Sequence, residues 1–234
     1  MKKRWTALAL IISGAALAGV AYVCIDIPLV HFCRGLGRPV LDATEWITMA
    51  GESHWYFMIL ASALLIFRLI AKNRKWTIRM FFLLACISAS GLINLLLKWI
   101  AGRNRPVNLF DHGLFGFDFF EAGYALNSFP SGHTVTVFSL AAALTILFPR
   151  FGAWTFLPAA VIAASRVMLT SHYLSDVIAG AVVGMVSTLG VKYVFDRANA
   201  DFGPSKENRN ARRAPRDPRA IRRAGAGDSA ALER

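Results

Sequence analysis

Six long apolar segments run through residues 1–196, separated by short stretches in which polar and charged residues collect. A helix needs about 20 mostly apolar residues to cross the roughly 30 Å hydrocarbon layer of a bilayer, and the fourth and fifth segments are shorter than that. None of the six carries the polar face that a helix of a soluble bundle turns toward water. The pattern predicts an all-α, polytopic membrane protein built as a bundle of six transmembrane helices. These helices are expected at about Trp5–Val23, Trp55–Ala71, Ile78–Leu97, Thr134–Phe148, Phe151–Ala164 and Val177–Phe195.

The composition agrees with a membrane protein. Of the 234 residues, 56% are hydrophobic and 17% are charged, whereas soluble domains average roughly 45–50% apolar and about 25% charged residues. This balance argues against a disordered protein, a disulfide-stapled scaffold and a soluble Rossmann-type enzyme. Lysine and arginine number 26 against 14 acidic residues, which gives a formal net charge of +12.

The basic residues of the short loops predict the orientation of the bundle, because such residues mark the cytoplasmic side. If six helices alternate, the basic clusters all fall on one side, so both termini are expected in the cytoplasm. The loops after the first, third and fifth helices then face outward. The basic start followed by Ala16-Leu17-Ala18 also fits a cleavable signal peptide, and cleavage would leave the rest of this topology unchanged. The clusters are Lys2, Lys3 and Arg4; Lys72, Arg74, Lys75 and Arg79; Arg150; and the arginines of the tail.

The last part of the chain, residues 197–234, differs from the rest. It is rich in Arg, Ala, Pro and Gly and has little to bury, which predicts a disordered cytoplasmic tail near anionic lipid head groups. Residues 1–196 are expected to form one membrane domain. No nucleic-acid recognition motif or aromatic platform accompanies the basic residues, so no nucleic-acid partner is predicted.

Three groups of polar residues lie at predicted helix ends, all on the outer side. Ionisable residues at a membrane edge are costly to place, which makes them functional candidates. Because these groups were not used to assign the topology, their meeting on one side is an independent indication of a site. The groups are Lys98 with Arg105-Pro106; Pro130-Ser131-Gly132-His133; and Ser165-Arg166 with His172 and Asp176.

The first two groups suit a phosphate. Lys98 and Arg105 are seven residues apart, so two turns of a continuous helix would place them on one face. There the guanidinium fork and the ammonium group can bind phosphate oxygens. Ser131, Gly132 and His133 stand at a predicted helix start, where free backbone N–H groups and the helix dipole attract anions.

The third group suits nucleophilic chemistry. His172 and Asp176 are four residues apart, hence on one face if the sixth helix starts near His172. A carboxylate hydrogen-bonded to one ring nitrogen would fix the tautomer and raise the basicity of the other nitrogen. His172 is therefore the candidate nucleophile, and His133 is the candidate proton donor to the leaving oxygen.

Taken singly, each of these residues also has a structural interpretation, since charged side chains at helix ends commonly snorkel or cap. We assign that role to Arg34, Arg38, Arg68 and Arg103. A transporter would also place charges among membrane helices, but at mid-membrane or with inverted repeats. Here three cations, two histidines and an aspartate gather at one edge, which favours a binding and catalytic site.

The long outward loop before the second group is very apolar for an exposed segment. It is expected either to lie in the interfacial layer, where it would help admit a lipid head group, or to form a packed lid over the bundle. Both alternatives favour an amphiphilic substrate over a soluble sugar phosphate. Its phenylalanines are Phe110, Phe115, Phe117, Phe119, Phe120 and Phe129.

Together these residues resemble a known signature. The pattern Lys98–x6–Arg105-Pro106, then Pro130-Ser131-Gly132-His133, then Ser165-Arg166–x5–His172–x3–Asp176 is similar to the three-part motif of the type 2 phosphatidic acid phosphatase (PAP2) superfamily, in its branch of bacterial membrane lipid phosphatases. All three parts match without a gap or substitution. Such a match is specific for the phosphate site and says little about the substrate.

The resemblance implies a role for each residue. His172 would attack phosphorus and form a phosphohistidine, Asp176 would hold and polarise it, and His133 would act as general acid. Water would then release the phosphate. The groups expected to bind the phosphate oxygens are Lys98, Arg105, Ser131, the Gly132 backbone and Arg166.

The resemblance also implies an enzyme without cofactor or metal, and the sequence shows no carboxylate cluster suited to Mg²⁺. The expected partner is a lipid phosphate, hydrolysed at the periplasmic face of the bacterial inner membrane. Lipid A, undecaprenyl diphosphate and phosphatidylglycerophosphate or phosphatidate stay open as substrates, with a slight preference for lipid A. A phosphotransferase that passes the phosphoryl group to a lipid acceptor is the alternative activity. The sequence predicts no oligomeric state.

Overall fold

The computed structural model describes residues 2–121 and 123–199 of the chain. Within these residues the chain forms α-helices, short 3₁₀ or π turns and one isolated bridge between Arg103 and Phe117, which confirms the predicted all-α class. The α-helices are α1 (Lys2–Cys24), α2 (Asp26–Arg34), α3 (Arg38–Met49), α4 (Ser53–Leu65, continued by a π-helical turn at Ile66–Ile70), α5 (Arg74–Ala101), α6 (Pro106–His112), α7 (Gly132–Leu147), α8 (Gly152–Met168) and α9 (Leu174–Arg197).

Each of the six predicted apolar segments lies in a helix: α1, α4 with its π turn, α5, α7, α8 and α9. By length and composition, four stretches of the described part of the chain are able to cross a membrane, at Trp5–Cys24, Arg38–Ile70, Arg74–Ala101 and Leu174–Arg197. The helices α7 and α8 are apolar but shorter. The number of crossings and the side on which the termini lie stay predictions.

The core of the bundle is α7, which packs chiefly against α9, α8 and α5. Gly184 of α9 lets α7 and α9 approach each other closely, because a Cβ atom at this position would lie 2.5 Å from the Val135 carbonyl oxygen. The hydroxyls of Ser139 and Thr188 also join the two helices at 2.9 Å. In contrast, large apolar side chains such as Leu17 and Leu92 are exposed on the outside of the bundle, as expected for surfaces that meet lipid.

The two ends of the bundle differ in character. At one end the C-termini of α5 and α8 meet the N-termini of α4, α7 and α9, and the helices α2, α3 and α6 lie there as well. At the other end Trp76 stacks on Phe67 and lies near Phe148, in the basic first turn of α5, which begins at Arg74. Beyond Asn199, the predicted tail of residues 197–234 lies outside the described residues.

Candidate active site

The site begins where α5 stops. Gly102 caps α5 in the left-handed conformation at φ +53°, and a Cβ atom there would lie 1.8 Å from the Asp118 carbonyl oxygen. The helix therefore ends at Ala101, and the prediction that Lys98 and Arg105 share one helical face is wrong. The two side chains converge in another way, because both donate to the carbonyl oxygen of Asn127, Arg105 over 3.4 Å.

The second group opens α7 as predicted, with Ser131 at the N-cap and Gly132 as the first helical residue. Ser131 is fully buried, and its backbone N–H donates to the Asp176 carbonyl oxygen over 3.1 Å. His133 lies in the first turn, beside Gly51 of the loop between α3 and α4. The N-terminus of α7 is thereby fixed against both α9 and this loop.

Arg166 reaches the site from the last turn of α8. Its guanidinium group donates to the Thr48 hydroxyl over 2.9 Å. Its own carbonyl oxygen accepts from the backbone N–H groups of Ser171 and His172 at 3.0 and 3.2 Å. These bonds fold the chain back after α8 and bring His172 close to the arginine.

His172 is almost completely buried, with 2% of its surface exposed. Its Nδ1 lies 2.8 Å from the Ser128 carbonyl oxygen. Because a carbonyl oxygen only accepts, Nδ1 carries the proton and Nε2 keeps its lone pair. Burial lowers the pKa of His172 to about 4, although Asp176 acts in the opposite direction, so the imidazole is neutral at neutral pH and suited to act as a nucleophile.

The contact between His172 and Asp176 is not the predicted hydrogen bond on one face of a helix. The helix α9 starts at Leu174, so His172 precedes it, and the Asp176 carboxylate lies 3.7 Å from Nδ1. That distance is too long for a hydrogen bond. The reason is that Oδ2 of Asp176 already accepts from the Ser128 hydroxyl at 2.6 Å and the Tyr173 N–H at 2.8 Å, so a backbone carbonyl fixes the tautomer instead.

Arg103 is the residue that the sequence interpretation missed. It is not a snorkelling side chain: it is fully buried and pairs with Asp176 at 2.5 Å and with Asp26 at 2.8 Å. It also donates to the Ser175 hydroxyl over 2.6 Å, and the rings of Tyr22 and Tyr173 lie within 5 Å of its guanidinium carbon. Asp26, an isolated acid just after the first apolar segment, was the available signal. The other three arginines assigned a surface role, Arg34, Arg38 and Arg68, are exposed as predicted.

The phenylalanine-rich loop that precedes Pro130 was predicted either to form a packed lid or to lie in the membrane interface, and it shows features of both. Phe115 and Phe117 are partly buried against the ring of Tyr22 and cover Arg103, as a packed lid would. Phe119 and Phe120 are more than 60% exposed, as expected for side chains that enter a membrane interface. The loop is a lid on its inner side and an apolar surface on its outer side.

The predicted cations and histidines meet at one place. Arg166, His172, Arg105 and Lys98 all act electrostatically on His133. Within the described residues, the hydrogen bonds of the three cations go to carbonyl oxygens and a hydroxyl and not to carboxylates, and Nε of both arginines is buried without a partner. Three cations and a helix N-terminus can bind the oxygens of an oxyanion such as phosphate. The neutral imidazole can attack its central atom.

The sequence is also similar to known proteins. The model of the PAP2 superfamily matches residues 79–200. The lipid A 1-phosphatase of Rhizobium johnstonii is 36% identical over 176 residues, which are 70% of this chain and 71% of the relative. The lipid A 1-phosphatase of Rhizobium etli is 35% identical over 175 residues, 70% of this chain and 75% of the relative.

Two solved structures share the fold. A transmembrane PAP2-type phosphatidylglycerolphosphate phosphatase from Bacillus subtilis superposes with a TM-score of 0.58 at 22% identity, covering 82% of this chain and 96% of that one. Aquifex aeolicus LpxE gives a TM-score of 0.56 at 19% identity, covering 73% and 96%. At these identities the likeness concerns the fold alone.

Proposed function

Because the chain belongs to the PAP2 superfamily and is a phosphatase, we propose that it hydrolyses a phosphate group of a bacterial envelope lipid at the periplasmic face of the inner membrane. The observation that carries this proposal is the cluster of Lys98, Arg105 and Arg166 around His133, with the neutral His172 beside it. No carboxylate accepts a hydrogen bond from these cations among the described residues, so their charge is available to a substrate anion.

The proposed reaction has two steps. Nε2 of His172 attacks phosphorus while His133, in the protonated form that the negative charge of the bound phosphate favours, donates a proton to the leaving oxygen, so the P–O bond breaks as the P–N bond forms. Water then attacks the phosphohistidine, His133 takes up its proton, and phosphate leaves. The three cations balance the charge of the equatorial oxygens in both steps, and the bond from Nδ1 to the Ser128 carbonyl stabilises the positive charge that develops on the ring.

A lipid substrate is supported by the surroundings of Lys98. An apolar groove of about 520 Å³ runs along the exposed face of α5 and ends at Lys98 and Asn127. Its walls include Leu95, Leu96 and Trp99, which suit acyl chains whose phosphate reaches the cations. The periplasmic orientation is supported by the basic residues at the opposite end of the bundle.

Among the lipids, we favour lipid A carrying a phosphate at its 1 position. The two relatives with that activity in their names are 36% and 35% identical, whereas the phosphatidylglycerolphosphate phosphatase is 22% identical. Undecaprenyl diphosphate and phosphatidate serve as the competing substrates in the experiment.

The first prediction is that the protein purified in detergent releases inorganic phosphate from lipid A at a higher kcat/KM than from undecaprenyl diphosphate or phosphatidate. The rate is expected to be unchanged by EDTA, because no group of three or more His, Cys, Asp or Glu side chains in the described part of the chain is placed to hold a metal ion. Loss of activity on chelation contradicts metal independence. Consumption of lipid phosphate without free phosphate, but with a newly phosphorylated lipid, identifies a phosphotransferase.

The second prediction concerns His133 as general acid. A His133→Asn variant is expected to lose about 10²–10⁴-fold in kcat on an alkyl or glycosyl phosphate, because the leaving alkoxide needs the proton. The loss on p-nitrophenyl phosphate is expected to be much smaller, since its phenolate leaves without protonation. Equal losses on both substrates would contradict this role.

A further inference from the structure

A second cavity, lined in part by His133 and sharing no lining residue with the apolar groove, has no role in the steps described above. Its volume is about 400 Å³, within the range of small-molecule binding sites. It is lined by one face of α5 at Gly91 and Asn94, by Thr136 of α7 and by the start of α4 at Glu52 and His54. His133 belongs to the wall of this cavity and to the catalytic cluster at once.

The lining of the cavity contains a larger share of polar surface than that of the groove along α5. Asn94 is 93% buried, with 7% of its surface exposed, and its Oδ1 has no hydrogen-bond partner among the described residues. Glu52 pairs with His54 at 3.3 Å and makes no cap bond to α4. A buried acceptor without a partner and a nearby carboxylate suit a ligand that brings several O–H or N–H donors.

The position of the cavity identifies which part of the substrate it would receive. In the proposed reaction the three cations hold the phosphate, His172 attacks it and His133 protonates the leaving oxygen. The group attached to that oxygen would therefore lie beside His133, which also lines the cavity. Resting on the proposed function, we propose that this cavity binds the hydroxylated leaving group of the substrate, a sugar unit, while the acyl chains occupy the groove along α5.

The assignment distinguishes a glycolipid from the other candidate substrates. The diacylglycerol released from phosphatidate and the polyprenyl phosphate released from undecaprenyl diphosphate bring no sugar hydroxyl or amide donors for the Asn94 carbonyl. An amino-sugar ring brings O–H and N–H donors and fits the volume. The cavity thus selects a phosphate that is attached directly to a sugar.

Gly91 allows a direct test, because a Cβ atom at this position meets no atom within 4 Å. A Gly91→Leu side chain would project from α5 and occupy part of the cavity. The variant is expected to raise KM for lipid A at least about tenfold, with kcat on p-nitrophenyl phosphate unchanged. The matched control is Gly190→Leu, on α9 in equally open space and away from the cavity.

A second variant tests the polar chemistry without adding bulk. Glu52→Gln is expected to raise KM for lipid A severalfold and to leave hydrolysis of phosphatidate unchanged. The proposal is overturned if Gly91→Leu and Glu52→Gln both act on lipid A as the wild type does, or lose activity equally on all substrates. It is also overturned if the wild type hydrolyses phosphatidate but not lipid A, although the protein is then still a lipid phosphatase. Absence of phosphate release from every substrate contradicts the proposed function itself.

Discussion

A His172→Ala variant is expected to lose phosphate release on the order of 10⁴-fold or more, since removing a nucleophile abolishes the covalent route and leaves only binding and electrostatic effects. The expectation follows from the local geometry. The ring is buried, its Nδ1 proton goes to the Ser128 carbonyl at 2.8 Å, and Nε2 is left with its lone pair. With the pKa lowered to about 4, the wild-type nucleophile is already in its reactive form at neutral pH.

The matched control is His112→Ala, because His112 is an exposed histidine at the end of α6 and is expected to be dispensable. The intermediate is tested separately by quenching the reaction with ³²P-labelled substrate. A phosphohistidine appears as a protein label that is labile in acid and stable in base, present in the wild type and in His112→Ala but absent from His172→Ala. Wild-type turnover by His172→Ala would remove the nucleophile from the mechanism.

The long helices could be predicted from the sequence because a bilayer imposes a simple requirement, a continuous apolar stretch of sufficient length. The short helices α2, α3 and α6 could not. They contain polar residues at irregular intervals, and α3 and α6 each begin with a proline in the first turn. Their helical form depends on packing at the end of the bundle, which no periodicity in the sequence records.

The residues of the site were predictable by type, and their contacts were not. Cations and histidines at helix ends are conspicuous against an apolar background, and the group from Pro130 to His133 was predicted to open the helix that is α7. The spacing of Lys98 and Arg105 suggested a shared helix, but the left-handed Gly102 ends it. The partner of Nδ1 is a backbone carbonyl, which every residue possesses, so the sequence offered no way to identify Ser128.

Removal of Arg103 is expected to cause the largest loss of stability. Its guanidinium group is enclosed by Asp26, Asp176 and Ser175, and its pairing with Asp26 spans 77 residues of sequence. An Arg103→Met variant retains volume but leaves two carboxylates buried without a cation, and breaking a buried pair in this way costs about 3–5 kcal/mol. The measurement is thermal or denaturant unfolding in detergent, with Arg34→Met, an exposed arginine on the ring of Phe110, as the control.

A double-mutant cycle with Asp26→Asn separates the effect of the unpaired buried carboxylate from the effect of the lost side-chain packing. If the uncompensated carboxylate causes the loss, Asp26→Asn combined with Arg103→Met should be less destabilised than the sum of the two single variants. Catalysis should also decline in Arg103→Met at temperatures where it is folded, because Arg103 orients Asp176, Asp176 holds the Ser128 hydroxyl, and the Ser128 carbonyl orients His172. Such a decline should lower kcat more than it raises KM, since Arg103 does not touch the substrate. Unfolding of Arg103→Met at the wild-type midpoint would show that the buried cation contributes nothing to the fold.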